Sequence, residues 1–366
     1  MLNARIAVVG AGWWSTYAHI PALQAHPQAE LVAIADVDAA KLDKAASYYN
    51  IPSAFTDFRE MLAKEELDGV IVAVWHAAHY EVAMACLERG LHMVLEKPMV
   101  LQADHAKRLY EIAREKDCEI IMGYPWNFLN QTRRSREVVQ SGGIGEIHYI
   151  ADIFASAPYS LYKGVDGSDN PNLADLFPVT GPGDVYTDPN RSGGGQGYLQ
   201  VTHSAALMFF ITGLCPVTVQ AQMSNLDVPV DVVNAITVRM DNGALATVGS
   251  TGRTASGQGK LDVQVYGDKG CIDLDYITNT GIIHYANGTE EALQAGVGAD
   301  LLGDNPGGDY LYPAHAPVAN LVDIIRNGGE NMSPPDVGWR VVEVLEGAYK
   351  SAGQDGRVVE IESLYN

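Results

Sequence analysis

Short runs of β-branched and aliphatic residues alternate with longer amphipathic stretches over the first third of the chain. Ile6–Val9, Leu31–Ala35, Val70–Val74, His92–Leu95 and Glu119–Met122 read as strands. Between them, Val37–Tyr49, His79–Arg89 and Gln102–Lys116 carry apolar residues at helical spacing. Continuously apolar strands joined through helices predict a parallel α/β sheet, doubly wound and covered on both faces. The pattern changes after Gly123. One more helix, Asn127–Gln140, stops at Ser141-Gly142-Gly143, and Glu146–Ala155 alternates as a longer strand. Beyond a helix at Tyr198–Thr212, strands recur at Val217–Met223, Ala235–Met240, Ala244–Thr251, Leu261–Tyr266, Cys271–Leu274 and Ile282–Tyr285. Their connections, Asp241-Asn242-Gly243, Gly267-Asp268-Lys269-Gly270 and Asn287-Gly288, are hairpin turns. This half predicts an α+β unit with a largely antiparallel open sheet, and helical pattern returns at Val318–Arg326 and Pro335–Ala352.

Residues 156–191 have no period and are rich in Asp, Asn, Pro and Gly. A connection that long is expected to serve the substrate site or a subunit contact. Within it, 166–170 has the look of a calcium loop but lacks alternating ligands and a closing Glu, so a solvated loop and no metal site are expected.

The 366 residues allow two domains with their own cores. With 45 acidic against 24 basic side chains, a net charge of −21, the chain is a poor partner for nucleic acid or an anionic membrane. The four cysteines form no C-x-x-C pair, and no leader or membrane-spanning run is evident. A soluble protein of the reducing cytoplasm is the expectation.

Phosphate can still be held without basic side chains, by the backbone N–H groups of a helix N-terminus. Gly10-Ala11-Gly12-Trp13-Trp14-Ser15 lies where such a site belongs, between the first strand and its helix. Gly10 makes the tight turn, Gly12 lets the backbone approach a pyrophosphate, and Ser15 replaces the third small residue. The second strand ends at Asp36, 24 residues past Gly12, in position to bond ribose hydroxyls. A carboxylate there repels a 2′-phosphate, and Val37 and Asp38 bring no Arg. NAD is therefore expected over NADP. The dinucleotide-binding Rossmann domain is assigned to 1–124. A substrate-binding and oligomerisation domain takes 125–366, with its C-terminal helices able to pack back on the first.

Glu96-Lys97-Pro98 closes the strand VLEKP, which delivers Lys97 to the crevice beyond the strand ends. GAGWWS, VIVAVWHAAHYEVAMACLERGLHMVLEKPM, MGYPWNF and SGGIGEI together resemble the Gfo/Idh/MocA family of glucose–fructose oxidoreductase and inositol dehydrogenase relatives. GGGQGYLQVTHSAALMFFITG at 193–213 is similar to that family's catalytic helix. The resemblance implies that Lys97 and His203 point at the substrate carbon facing the nicotinamide, and that His79 lies beside the cofactor. Two departures stand out. Leu199 occupies the position where the family often has an Asp, with Gln200 beside it, and Val74-Trp75-His76 replaces the usual Thr-Pro-Asn. The chemistry fits independently: His203 is suited to be a general base near neutral pH and Lys97 to stabilise an alkoxide, or the two exchange roles.

The expected cofactor-binding set is Gly10, Gly12, Trp13, Trp14, Asp36, Val74, His76, His79, Glu96, Lys97 and Asn127. The expected substrate set is Tyr124, Trp126, Tyr186, Gln200 and His315. The rings of Tyr159, Tyr162, Phe177 and Tyr186 beside five Asp in 156–191 suit a small neutral carbohydrate. The leading expectation is an NAD-dependent sugar, glycoside or cyclitol dehydrogenase. The alternatives are a redox-neutral glycoside hydrolase or lyase with tightly held NAD, and an NAD-sensing regulator. The open sheet needs covering, which predicts a homodimer or homotetramer.

Overall fold

The computed structural model describes residues 3–165, 179, 181–255, 258–294, 296 and 312–361. Phe177 and the loop 166–170 lie outside them.

Six parallel strands form the first sheet: β1 (Ala4–Val9), β2 (Ala29–Ala35), β3 (Ser53–Phe55), β4 (Gly69–Val72), β5 (His92–Leu95) and β6 (Ile120–Met122). Their order is β3-β2-β1-β4-β5-β6. β4 and β6 are buried at every position, as strands covered on both faces must be. The order reverses between β1 and β4, which opens a crevice at their carboxyl ends. The helices are α1 (Ile20–Ala25), α2 (Ala39–Tyr49), α3 (Phe58–Lys64), α4 (His79–Glu88) and α5 (Ala103–Glu115). Asp38 caps α2 by accepting from the N–H groups of Ala40 and Lys41, which pins the chain just beyond Asp36.

The second half is a nine-stranded sheet. Its strands are β7 (Ile147–Ala155), β8 (Pro216–Ser224), β9 (Val233–Met240), β10 (Leu245–Thr251), β11 (Lys260–Gly267), β12 (Gly270–Asp275), β13 (Thr280–Tyr285), β14 (Glu290–Ala292) and β15 (Val359–Glu360). The order is β14-β13-β12-β11-β7-β10-β9-β8-β15, antiparallel except for the parallel pair β7–β10. One face packs against α6 (Asn130–Gln140), α7 (Thr202–Thr212) and α9 (Pro335–Ala352). Every residue of α7 is buried, because the helix is sandwiched between β7, α6 and α9. The opposite face stays open, with Ile153, Val233, Leu245 and Ile282 exposed on it. α8 (Ala316–Asn327) packs back on the first sheet, across β4, β5 and β6. Asn331 extends that contact by donating to the Ile120 carbonyl at 2.9 Å.

Asp152 faces inward from β7, buried beside Ser204 of α7, with the Asp262 carboxylate adding to the effect of burial and Ser204 opposing it. Burial pushes its carboxyl up to about 8. A carboxyl raised in the folded state costs stability as pH rises from its unfolded value, near 4, through about 8. Asp152→Asn is therefore expected to stabilise the protein increasingly over that range, by the order of a few kcal/mol at pH 8 and little at pH 4. Thermal unfolding of both proteins across that range checks it; a constant difference contradicts it.

Candidate active site

The turn after β1 is shaped for a phosphate ligand. Gly10 has φ +106°, and a Cβ there would lie 2.2 Å from the Ala73 carbonyl oxygen, so only glycine fits against β4. A Cβ on Gly12 would meet nothing within 4 Å, which leaves its backbone open to the cleft. The Asp36 carboxylate accepts the N–H groups of Ala11 (2.6 Å) and Asp38 (2.8 Å) and remains partly accessible at the end of β2. These groups line one end of a cavity of about 1150 Å³. Two cations share that end, and both are paired: Lys41 with Asp38 at 3.7 Å, and Arg59 with Glu81 and Asp57.

Lys97 and His203 line the same cavity from β5 and α7. Glu96 is buried beside them, accepts the Trp14 indole N–H at 2.9 Å, and lies 3.0 Å from His19 Nε2. Burial alone raises its proton affinity, but His19 and Lys97 together hold its carboxyl below the usual range. The Lys97 ammonium donates to the Leu199 carbonyl at 3.1 Å. It keeps some accessible area toward the cleft, yet burial pushes it down to about 8 against the opposing pull of Glu96. His203 is held edge-on to Trp126 and Tyr124, with ring centroids 5.2 and 5.9 Å away. Its Nδ1 is buried without a hydrogen-bond partner among the described residues, which leaves Nε2 for a ligand. Burial, then the adjacent Lys97 charge, hold the imidazole well below its usual proton affinity.

The Leu199 carbonyl is available because the helix entering this site starts with a wide π-type turn, Gly197–Val201. That turn is anchored from beneath. The buried Asp231 carboxylate accepts the N–H groups of Gly195 (2.7 Å) and Gly197 (2.8 Å) and the Tyr349 hydroxyl (2.5 Å). Gly194 packs so closely that a Cβ would sit 2.1 Å from the Tyr349 oxygen. A backbone carbonyl thus faces Lys97 in a chain whose Leu199 offers no carboxylate. Asp231 and Tyr349 escape sequence reasoning; the glycine cluster Gly193–Gly195 ahead of the helix is the one signal of close approach.

Of the residues expected from sequence, the cavity gathers Gly12, Trp13, Trp14, Asp36, Val74, His76, Glu96, Lys97, Trp126, Tyr186, Gln200 and His203. Gly10 serves from just behind as the turn. Four others stand elsewhere. His79 is fully buried, with Nδ1 2.7 Å from the Pro98 carbonyl and Nε2 3.1 Å from that of Val74, so it ties two loops together instead of facing a cofactor. Asn127 is buried against Ser333, to which it donates at 3.1 Å. Tyr124 lies behind His203 with its hydroxyl 3.0 Å from that of Thr202. His315 immediately precedes α8, and the aromatic ring at the cleft is Tyr312, three residues earlier. His76 lines the cavity with Nδ1 2.7 Å from the Ser192 carbonyl. Among the described residues no group of three or more His, Cys, Asp or Glu is placed to hold a metal, and no helix is long and apolar enough to cross a membrane.

The doubly wound sheet, the glycine turn at its switch point and the titratable pair at the far end of one cleft define a dinucleotide-dependent oxidoreductase. Residues 4–124 match the model of the Gfo/Idh/MocA oxidoreductase family with NAD-binding Rossmann fold, and residues 132–273 that of the Gfo/Idh/MocA C-terminal domain. The chain belongs to this family. An uncharacterized oxidoreductase of Synechocystis sp. is 26% identical over 309 residues, 78% of this chain and 77% of its own. The myo-inositol 2-dehydrogenase of Thermotoga maritima is 25% identical over 285 residues, 76% of this chain and 77% of its own. A solved structure of levoglucosan dehydrogenase with NADH and levoglucosan superposes with a TM-score of 0.78 at 18% identity, covering 99% of this chain and 100% of that one.

Proposed function

We propose that the chain is an NAD-dependent dehydrogenase moving hydride between a ring CH–OH of a sugar, glycoside or cyclitol and the nicotinamide. The observation that carries this is the meeting of Lys97 and His203 in one cavity with the Gly12 turn and Asp36. Relatives named for inositol and levoglucosan point to the same substrate class.

The residues fit the cofactor. Gly12 leaves space where a pyrophosphate needs it, and the partly accessible Asp36 suits ribose hydroxyls. The Asp36 carboxylate at the ribose end repels a 2′-phosphate, which favours NAD over NADP. When bound, the nicotinamide supplies the hydride acceptor or donor. His203, neutral at pH 7, takes the hydroxyl proton at Nε2 as the alcohol is oxidised. Lys97, aligned by the Leu199 carbonyl, donates to the same oxygen and stabilises its developing charge. Gln200 and Tyr186 line the cleft beside them and are proposed to orient hydroxyls. The domain division at about residue 124, a cytoplasmic setting, and a homodimer or homotetramer through the open face of the second sheet complete the reading.

The test is absorbance of reduced cofactor on mixing the protein with NAD or NADP and a panel of neutral sugars, glycosides and inositols. NADH is expected from one class, with kcat/KM for NADP at least about tenfold lower. No reduced cofactor from any compound, with nucleotide still bound after purification, contradicts net dehydrogenation. Preference for NADP contradicts the role given to Asp36.

A further inference from the structure

The cleft holds more aromatic surface than one sugar ring can use. Trp14, Tyr17, Tyr312 and Trp126 line it together with His203. Their rings form a continuous series. Tyr17 lies 5.5 Å from Trp14, Trp14 5.8 Å from Tyr312, and Tyr312 4.8 Å from Trp126 and 6.3 Å from His203. The series ends against the imidazole and begins at Tyr17, which is 43% exposed.

Packing accounts for the inner rings, Trp126 and Tyr312, which stand edge to face at 81° beside His203. Tyr17 stacks on Trp13 at 5.8 Å and 24° on the same short helical segment, and still presents the rest of its large ring at the mouth of the cleft. The Trp14 ring is fixed, since its indole N–H is committed to Glu96. What Trp14 offers a ligand is therefore a ring face and no donor. The cleft's substrate-directed polar groups come together from three places: Lys97 just past β5, Gln200 in the wide turn and His203 at the start of α7. A sugar ring held there reaches Trp126 and Tyr312, but three centroid steps separate Tyr17 from the imidazole.

We propose that Tyr17, Trp14 and Tyr312 form an aglycone subsite, and that the preferred substrate is a glycoside bearing a flat aromatic aglycone. A flat apolar ring gains from stacking on such faces. The inference rests on the dehydrogenase reading above.

The experiment compares methyl and phenyl glycosides of the same hexopyranoses, with saturating NAD, in wild type, Tyr17→Ala and Tyr17→Phe. Wild type is expected to favour the phenyl glycoside by about tenfold or more in kcat/KM, mainly through KM. Tyr17→Ala lowers that ratio at least about fivefold and Tyr17→Phe restores it, because the ring face and not the hydroxyl makes the contact. Equal use of both glycosides by wild type overturns the subsite, as does an unchanged ratio in Tyr17→Ala or better turnover of disaccharides than of phenyl glycosides. Oxidation confined to free sugars or inositols sinks the subsite and leaves the dehydrogenase standing. No NADH from any compound sinks both.

Discussion

Replacing Lys97 with methionine lowers kcat/KM by roughly a hundred- to a thousandfold while the protein stays folded and still binds NAD. Methionine has a similar unbranched stem, so packing around β5 is retained and what is lost is the ammonium beside the reacting oxygen. The wild-type pH profile carries the same information. Burial lowers the Lys97 ammonium to about 8, so the charged form is present below that pH and lost above it. The rate of alcohol oxidation is therefore expected to fall above about pH 8. His203 is held well below its ordinary value, which places the acid limb on the acid side of a typical histidine. Lys97→Arg keeps its charge throughout and should lose the alkaline limb even where its rate is poor. Steady-state kinetics across pH check this; a Lys97→Met enzyme with wild-type kcat/KM removes the residue from the reaction.

The second large effect is at Gly10. Alanine there combines a backbone at φ +106° with a Cβ 2.2 Å from the Ala73 oxygen and 2.7 Å from its carbonyl carbon. The chain after β1 or the one after β4 must shift, at a cost of roughly 2 kcal/mol or more, and the two loops forming the cofactor end of the cleft separate. Gly10→Ala should lower the unfolding temperature by several degrees and NAD affinity at least about tenfold. Gly12→Ala is the contrasting case. Its Cβ meets no protein atom within 4 Å, so it should leave the unfolding temperature alone and weaken NAD binding, by filling the space left for the pyrophosphate. Calorimetry with and without NAD separates the two. Equal NAD affinity in Gly12→Ala and wild type contradicts the placement of the pyrophosphate.

The parallel sheet was legible because β4 and β6 are buried at every position, and β1 and β5 from Ile6 and Met93 onward, so each carries an unbroken apolar run. The edge was not. β3 has three residues of mixed burial, and α3 follows after a two-residue break capped by Asp57, so neither gives a periodic signal. In the second half, hairpin turns revealed strand succession, but the parallel β7–β10 pairing joins strands nearly a hundred residues apart and leaves no local mark. The site divides in the same way. Asp36 stands at the spacing from Gly12 that a dinucleotide turn requires, whereas Lys97 and His203 are marked by the resemblance of VLEKP and GGGQGYLQVTH to the family's motifs. Asp231 and Tyr349 act on the wide turn from 34 and 152 positions beyond Gly197, and no pattern links them. His79 was misplaced because a histidine opening a helix beside the cleft looks the same in sequence whether its nitrogens face a ligand or two backbone carbonyls. His315 lies outside the cavity, and three residues earlier Tyr312 carries the ring that reaches Trp126.

In the proposed reaction a ring carbon held at Lys97 and His203 gives up hydride to the nicotinamide. Its most direct test uses a glycoside deuterated at the carbinol carbon, mixed with wild-type protein and NAD and followed by NMR. The prediction is that deuterium appears at C4 of the reduced nicotinamide in wild type, and that Lys97→Met and His203→Ala transfer it far more slowly. Product formed with the deuterium lost to water, or none transferred by wild type with any oxidised substrate, would contradict the account.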